Sequence, residues 1–303
     1  MLDLTFKDLP TEQAMAMGDG LAAQGHVQTA RNLYQAALER ETRVWMRYRL
    51  RVRIGIIAVP NARTPGLLRM LQELEAQDPE FPVFVGAGMA TWLKTVPFLD
   101  DERFLALEQK HSHLLPIANW HWNLHVVLWA LQQTKDVAGD HLELGVFKGH
   151  TSLFASEYVE FQTWPKRWWL VDTFEGIPDD QVDKGWEQVN QNLYKGTYHY
   201  EDVVERFAAF PNIEVVKGRV PEILHERCPE TISFLHIDLN NTTAEIAALE
   251  FLLDRLSPGA VLILDDYCWA SARAQFEAER VWFRERGLHV LGLPTGQGVF
   301  IKR

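Results

Sequence analysis

The chain has 303 residues, 47% of them hydrophobic and 11 of them tryptophan, which is material for a sizeable core or two and long for one compact domain. A net charge of −11, with no Lys/Arg-rich run or basic stripe, speaks against nucleic acid or an anionic membrane and for a small molecule or another protein as partner. Cys228 and Cys268 are the only cysteines, too few for a disulfide framework or a thiolate zinc site, and both are expected to be structural.

The opening "MLDLTFKDLPTEQ" has neither the basic head nor the apolar middle of a signal peptide, and no apolar run approaches the ~18 residues of a membrane span. A cytoplasmic protein is expected. Residues 12 to 110 carry apolar positions at three- and four-residue spacing, as in "QTARNLYQAALERE" and "TPGLLRMLQELEAQ", with turn signals such as "VPNARTPG" between them. No strand pattern is read there. Gly18, Leu21, Gly25, Ala30, Tyr34 and Ala37 fall where a tetratricopeptide helix pair needs close approach and one bulky filler. The proline that usually closes such a repeat is replaced by Thr42, and no convincing second copy follows about 34 residues on. Since solenoid repeats need neighbours, residues 1–115 are expected to form a small all-helical domain with one such hairpin, serving as an interaction or dimerisation surface.

Residues 116–303 alternate between helix and strand. "NWHWNLHVVLWALQQ" precedes "HLELGV"; then come helix "HTSLFASEYVEF", strand "RWWLVDTF", helix "VVERFAAF", strands "IEVVKG" and "ISFLHIDL", helix "AEIAALEFLLDRL", strand "AVLILDD" and helix "RAQFEAERVWFRERG". Short apolar runs separated by helices predict a mostly parallel α/β sheet covered on both faces. The closing "LHVLGL" and "GVFIKR", joined by "PTGQ", must pair antiparallel. His121 and His125 lie four apart on the first of these helices, but without a third ligand nearby they are read as packing residues.

Ligands of open parallel sheets bind beyond the carboxyl ends of the strands. The first strand brings Glu143, then Gly145, where a side chain would obstruct a ligand, and Gly149, which opens the next helix; an ordinary strand-to-helix turn reads the same way. The G-x-G-x-x-G of a nicotinamide site is missing, and an acid before the glycines would repel a pyrophosphate yet suit a ligand bearing an ammonium group. Asp172, ending the second strand, is placed to accept hydrogen bonds from a ribose diol. Gly218 and Arg219 follow the third and could border an adenine, although "KG" is also common turn chemistry.

Asp238 ends the fourth strand and Asp265 and Asp266 the fifth. If those strands are adjacent the three acids meet, and their repulsion calls for a cation; oxygen ligands alone suit Mg²⁺ or another hard divalent ion. Capping or turn chemistry explains one of the Asp265–Asp266 pair, but not both together with Asp238. His236 faces the same side as Asp238, either as a second proton carrier or as a core histidine with satisfied hydrogen bonds. The long connection between Phe174 and Val203 carries Trp186, Tyr194, Tyr198 and Tyr200, read either as a closing lid or as aromatics packed on the sheet.

"LELGVFKGHTSLF", "LVDTFEGIP", "FLHIDLNNTTAEIAALEFLLDRLSPGAVLILDDYCW" and "LPTGQGVFIK" together resemble the macrocin O-methyltransferase family, class I enzymes that methylate sugar hydroxyls of natural products with S-adenosylmethionine. The resemblance covers roughly residues 118 to 303. It implies a Rossmann-like sheet, with Glu143, Gly145, Gly149 and Ser152 bordering the cofactor and Asp172 on its ribose. It also implies Asp238, Asp265 and Asp266 as ligands of Mg²⁺, with Asp238 as favoured general base. Where the family commonly has D-x-D-x-Y this chain has His236, Asp238 and Asn240, and Asn241 excludes the lysine base of catechol-type relatives. The expected activity is metal-assisted O-methylation of a small-molecule or saccharide hydroxyl, with Asp238 or His236 removing the proton. The rival is a catalytically inert methyltransferase-fold scaffold that binds proteins through its N-terminal helices.

Overall fold

The computed structural model describes residues 9–58 and 60–303. The leader-like features sought at the N-terminus thus fall largely outside the described residues, as does Val59 of the "VPNARTPG" turn. The chain divides into two compact units, Met1–Trp122 and Asn123–Arg303. Among the described residues no helix is long and apolar enough to cross a membrane.

The first unit contains α1 (Thr11–Ala23), α2 (Val27–Arg40), α3 (Val44–Ala58), α4 (Thr64–Gln77) and α5 (Glu102–His111). Gly18 lets α1 and α2 approach: a Cβ there would lie 2.3 Å from the Tyr34 ring. The Tyr34 hydroxyl donates to Asp19 at 2.6 Å, and Asp19 and Glu75 flank the buried Arg53 guanidinium, so the charges this core encloses are paired. The all-helical expectation needs one correction. Val83–Gly86 (β1) and Met89–Trp92 (β2) form an antiparallel hairpin, turning at Ala87 and Gly88 with φ of 48° and 74°. Four-residue strands, the first buried throughout, carry no alternation for a pattern search to find.

The second unit takes in all but the first two residues of α6 (His121–Thr134). It continues through β3 (Asp140–Leu144), α7 (His150–Val159), β4 (Trp168–Asp172), α8 (Glu187–Val189), α9 (Tyr200–Arg206), β5 (Ile213–Lys217), α10 (Glu222–Glu226) and β6 (Ile232–Ile237). It closes with α11 (Thr242–Leu252), β7 (Leu256–Leu264), α12 (Arg273–Glu285), β8 (Leu291–Gly292) and β9 (Gly298–Ile301). The sheet order is β5-β4-β3-β6-β7-β9-β8, parallel through β7, with β9 antiparallel to both neighbours. All six residues of β6 are buried, as a central strand covered on two faces requires. Helix α11 presents Ala244, Ala248, Leu249 and Leu252 to the core at helical spacing, and its first turn is capped by Asn241, which accepts from the Ala244 N–H. Strand order reverses between β3 and β6, so the crevice open to a ligand lies beyond their carboxyl ends.

One core residue is out of keeping with its surroundings. His141 on β3 is fully buried among Phe161, Trp164, Trp168 and Phe234, and neither ring nitrogen has a hydrogen-bond partner. Burial, helped by nearby Lys166, pushes its pKa well below the ordinary value and keeps it neutral. The unfolded chain, whose histidine titrates near 6.5, then binds more protons than the folded one below that pH, so this residue lowers stability as pH falls. In His141→Leu the deficit is gone. The stability difference between variant and wild type is expected to widen by up to about 2 kcal/mol between pH 7 and pH 5, read by chemical denaturation.

Candidate active site

Hydrogen bonding between the parallel strands brings their carboxyl ends level. Asp238 follows β6 and donates its N–H to the Leu144 carbonyl of β3; Asp265 follows β7 and donates to the Ile237 carbonyl of β6. Carboxylate oxygens of Asp238, Asp265 and Asp266 consequently lie within 4.8 Å of one another, the one such cluster of three metal-binding side chains among the described residues. Asp265 is buried, while Asp238 and Asp266 are partly exposed. Withdrawal from water, then repulsion from Asp265 and Asp266, raises the Asp238 pKa well above the carboxylate range; withdrawal from water and Asp265 do the same to Asp266. Among the described residues the Asp266 Oδ2 atom has no hydrogen-bond partner. An all-oxygen cluster that repels itself and leaves a buried acceptor free fits a hard divalent cation.

His236 lies beneath this cluster, 2% exposed. Its Nδ1 is 3.1 Å from Glu143 Oε1 on β3 and its Nε2 is 3.3 Å from Asp265 Oδ1. Burial alone would lower its pKa, but the hydrogen bonds to Asp265 and Glu143 outweigh it and hold the ring protonated. Gln297, just before β9, donates to the same Asp265 oxygen at 2.8 Å. Glu143 keeps Oε2, buried and unpartnered, for a further donor.

The glycines and Asp172 have the following surroundings. A Cβ on Gly145, at φ 87°, would meet the Asp238 carbonyl oxygen at 1.8 Å, which by itself requires glycine there. Gly149 does open α7, at φ 79°, and the Ser152 hydroxyl on that helix is buried without a partner. Both Asp172 oxygens are engaged within the protein: Oδ2 accepts from the N–H groups of Val146 and Phe147 at 2.7 and 2.8 Å, and Oδ1 from the Phe174 N–H and the Tyr198 hydroxyl. Beyond β4 and β5 opens a cleft lined by Thr173, Glu175, Ile177, Lys217, Gly218 and Arg219. Arg219 forms its wall and grips Asp180 with both terminal nitrogens.

Of the aromatics between Phe174 and Val203, Tyr198 is buried against Phe147 and Phe174, and the Tyr200 hydroxyl bonds the Val215 carbonyl of β5. Tyr194 is the one set over the acids: its hydroxyl is 3.4 Å from Asn240 Oδ1, and burial together with Asp238, Asp266, Asp172 and Asp265 raises its pKa. Asp183 in the same segment accepts from the Thr242 N–H and hydroxyl at the start of α11. The sequence reading passed over Gln297, Asp183 and Glu245, and met Asn240 only as a departure from the family pattern. Glu245 had a local signal, an acid four residues past the cap Asn241; Gln297 and Asp183 are placed by contacts distant in sequence.

Sheet order, strand-end acids and cleft together define a Rossmann-like fold of the class I methyltransferase type. The chain belongs to the macrocin-O-methyltransferase (TylF) family, whose sequence profile matches residues 123–287. It is 26% identical over 152 residues to mycinamicin III 3''-O-methyltransferase of Micromonospora griseorubida, an alignment covering 45% of this chain and 58% of that protein. It is also 26% identical over 146 residues, 45% of this chain and 56% of the relative, to the 8-demethyl-8-(2,3-dimethoxy-alpha-L-rhamnosyl)-tetracenomycin-C 4'-O-methyltransferase of Streptomyces olivaceus. The match thus spans little more than half of either relative. Among solved structures, the O-methyltransferase NovP superposes with a TM-score of 0.51 at 18% identity, over 62% of this chain and 82% of that one, a likeness of fold.

Proposed function

We propose that the protein is an S-adenosylmethionine-dependent O-methyltransferase acting on a sugar or natural-product hydroxyl, assisted by Mg²⁺ or another hard divalent cation. The observation that carries this reading is the meeting of Asp238, Asp265 and Asp266 at the ends of adjacent strands, one strand away from Glu143. The names of the two curated relatives, both sugar O-methyltransferases, support the acceptor class.

Glu143, with its free buried oxygen, receives the ammonium of the cofactor, and Ser152 and the Gly149 turn border it. Asp172 shapes the cofactor loop through the Val146 and Phe147 amides, leaving the ribose to the cleft beside Glu175, Gly218 and Arg219. The three aspartates hold the cation, which supplies alignment and a lowered pKa to the acceptor hydroxyl. With cofactor and acceptor bound, Asp238 would take the hydroxyl proton as the acceptor oxygen bonds to the methyl carbon and displaces it from the sulfur of S-adenosylhomocysteine. We assign no proton transfer to His236, because both its ring nitrogens are occupied by acids; it offsets their charge. The N-terminal helices we read as a partner or dimerisation surface, with Phe81, Trp92 and Leu93 exposed on that unit, and the protein as cytoplasmic.

Calorimetric titration tests the reading. S-adenosylmethionine and Mg²⁺ are each expected to bind, and labelled methyl should appear in glycoside products by mass spectrometry. An inert scaffold would show neither.

A further inference from the structure

The turn that carries Asp238 is held from behind by a carboxylate that belongs to no metal cluster. Glu245, on α11 and fully buried, accepts the N–H of Leu239 at 3.0 Å and of Asn240 at 3.2 Å with one oxygen, and with the other accepts from Gln275 of α12 at 3.0 Å. Asn240 stands at φ 57°, a left-handed conformation that a non-glycine side chain enters only when its surroundings impose it. Its Nδ2 donates to Asp238 Oδ1 at 2.7 Å, so the backbone that Glu245 fixes sets the carboxylate.

Burying a carboxylate costs several kcal/mol unless its partners compensate. Here Glu279, also fully buried, lies against Glu245; burial and then repulsion from Glu279 raise the Glu245 pKa, while burial and the charge of Asp266 raise that of Glu279 to about 7, against the lowering effect of its contact with Glu245. A helix interior has no need of two such acids. The two amides immediately after Asp238 are what this arrangement satisfies.

We propose that Glu245 is a positioning residue that presents Asp238 to the cation and the acceptor, through the Leu239 and Asn240 amides. The inference rests on the proposed function for its consequence, but not for the clamp itself. In Glu245→Ala, exchange of the Leu239 and Asn240 amides with deuterated solvent should accelerate at least tenfold, and Mg²⁺ affinity should fall at least tenfold, with S-adenosylmethionine affinity unchanged within twofold. Glu245→Gln keeps an acceptor oxygen facing both amides and should stay within threefold of wild type in every reading. Should the alanine variant fail to fold, Gln275→Leu, which frees the far side of the carboxylate, should give the same pattern at about threefold. Unchanged exchange at the two amides would overturn the proposal. So would equal loss of Mg²⁺ and cofactor affinity, the mark of general damage, or a glutamine variant as impaired as the alanine one. Wild-type protein that binds no Mg²⁺ would instead sink the metal reading, while the exchange result still judges the clamp.

Discussion

Asp238→Asn is expected to cut methyl transfer about a thousandfold while leaving the protein as stable as before or more so. The rate loss follows from the two roles proposed for Asp238, cation ligand and acceptor of the hydroxyl proton; general-base contributions alone run to about 10²–10⁴-fold. The stability follows from the sign of the pKa shift. A carboxyl whose pKa is raised on folding binds more protons folded than unfolded, so above its unfolded value its ionisation works against the native state. Asparagine removes that charge from beside Asp265 and Asp266, and its amide oxygen can still accept from Asn240. The measurement pairs product mass spectrometry, using labelled cofactor and a glycoside panel, with thermal unfolding in cation-free buffer. Full turnover in the variant would dispose of both roles given to Asp238.

Gly145→Ala should behave in the opposite way, losing fold and site together. The added methyl faces a backbone oxygen at 1.8 Å, on a neighbouring strand that cannot rotate away as a side chain could. The φ of 87° adds a left-handed penalty of about 1–2 kcal/mol, and relief of the overlap about 1–3 more. A loss of about 3 kcal/mol in a unit of this size lowers Tm by roughly 6–12 °C. Because the displaced oxygen is that of Asp238 itself, Mg²⁺ affinity should fall with it. A variant with unchanged Tm would mean that β3 and β6 part more easily here than the register indicates.

The contrast between these residues shows what could be read from the chain. Asp238, Asp265 and Asp266 were legible because strand-end position needs only the strand pattern, and adjacency of β6 and β7 follows from ordinary parallel topology. Gly145 was legible as a residue but not in its reason, since the oxygen it avoids belongs to a strand 93 residues on. The hairpin in the first unit escaped because its strands are too short for periodicity. Asp172 was legible as a strand-end acid, whereas its hydrogen bonds with Val146, Phe147, Phe174 and Tyr198 join residues up to 26 apart and appear only in the fold. Gln297 and Glu245 illustrate the general limit: a residue that acts by holding another leaves little local pattern.

The position of β9 carries a consequence for how the protein comes into being. During synthesis β7 is complete by residue 264, yet its outer edge stays bare until Gly298–Ile301 emerges and slots between it and β8. A bare edge with its row of unpaired N–H and C=O groups is the kind of surface on which nascent chains pair with one another. Gln297, immediately before this late strand, donates to Asp265, so the covering of the β7 edge and the last hydrogen bond to that acid arrive together, and a chain stalled before that point has neither.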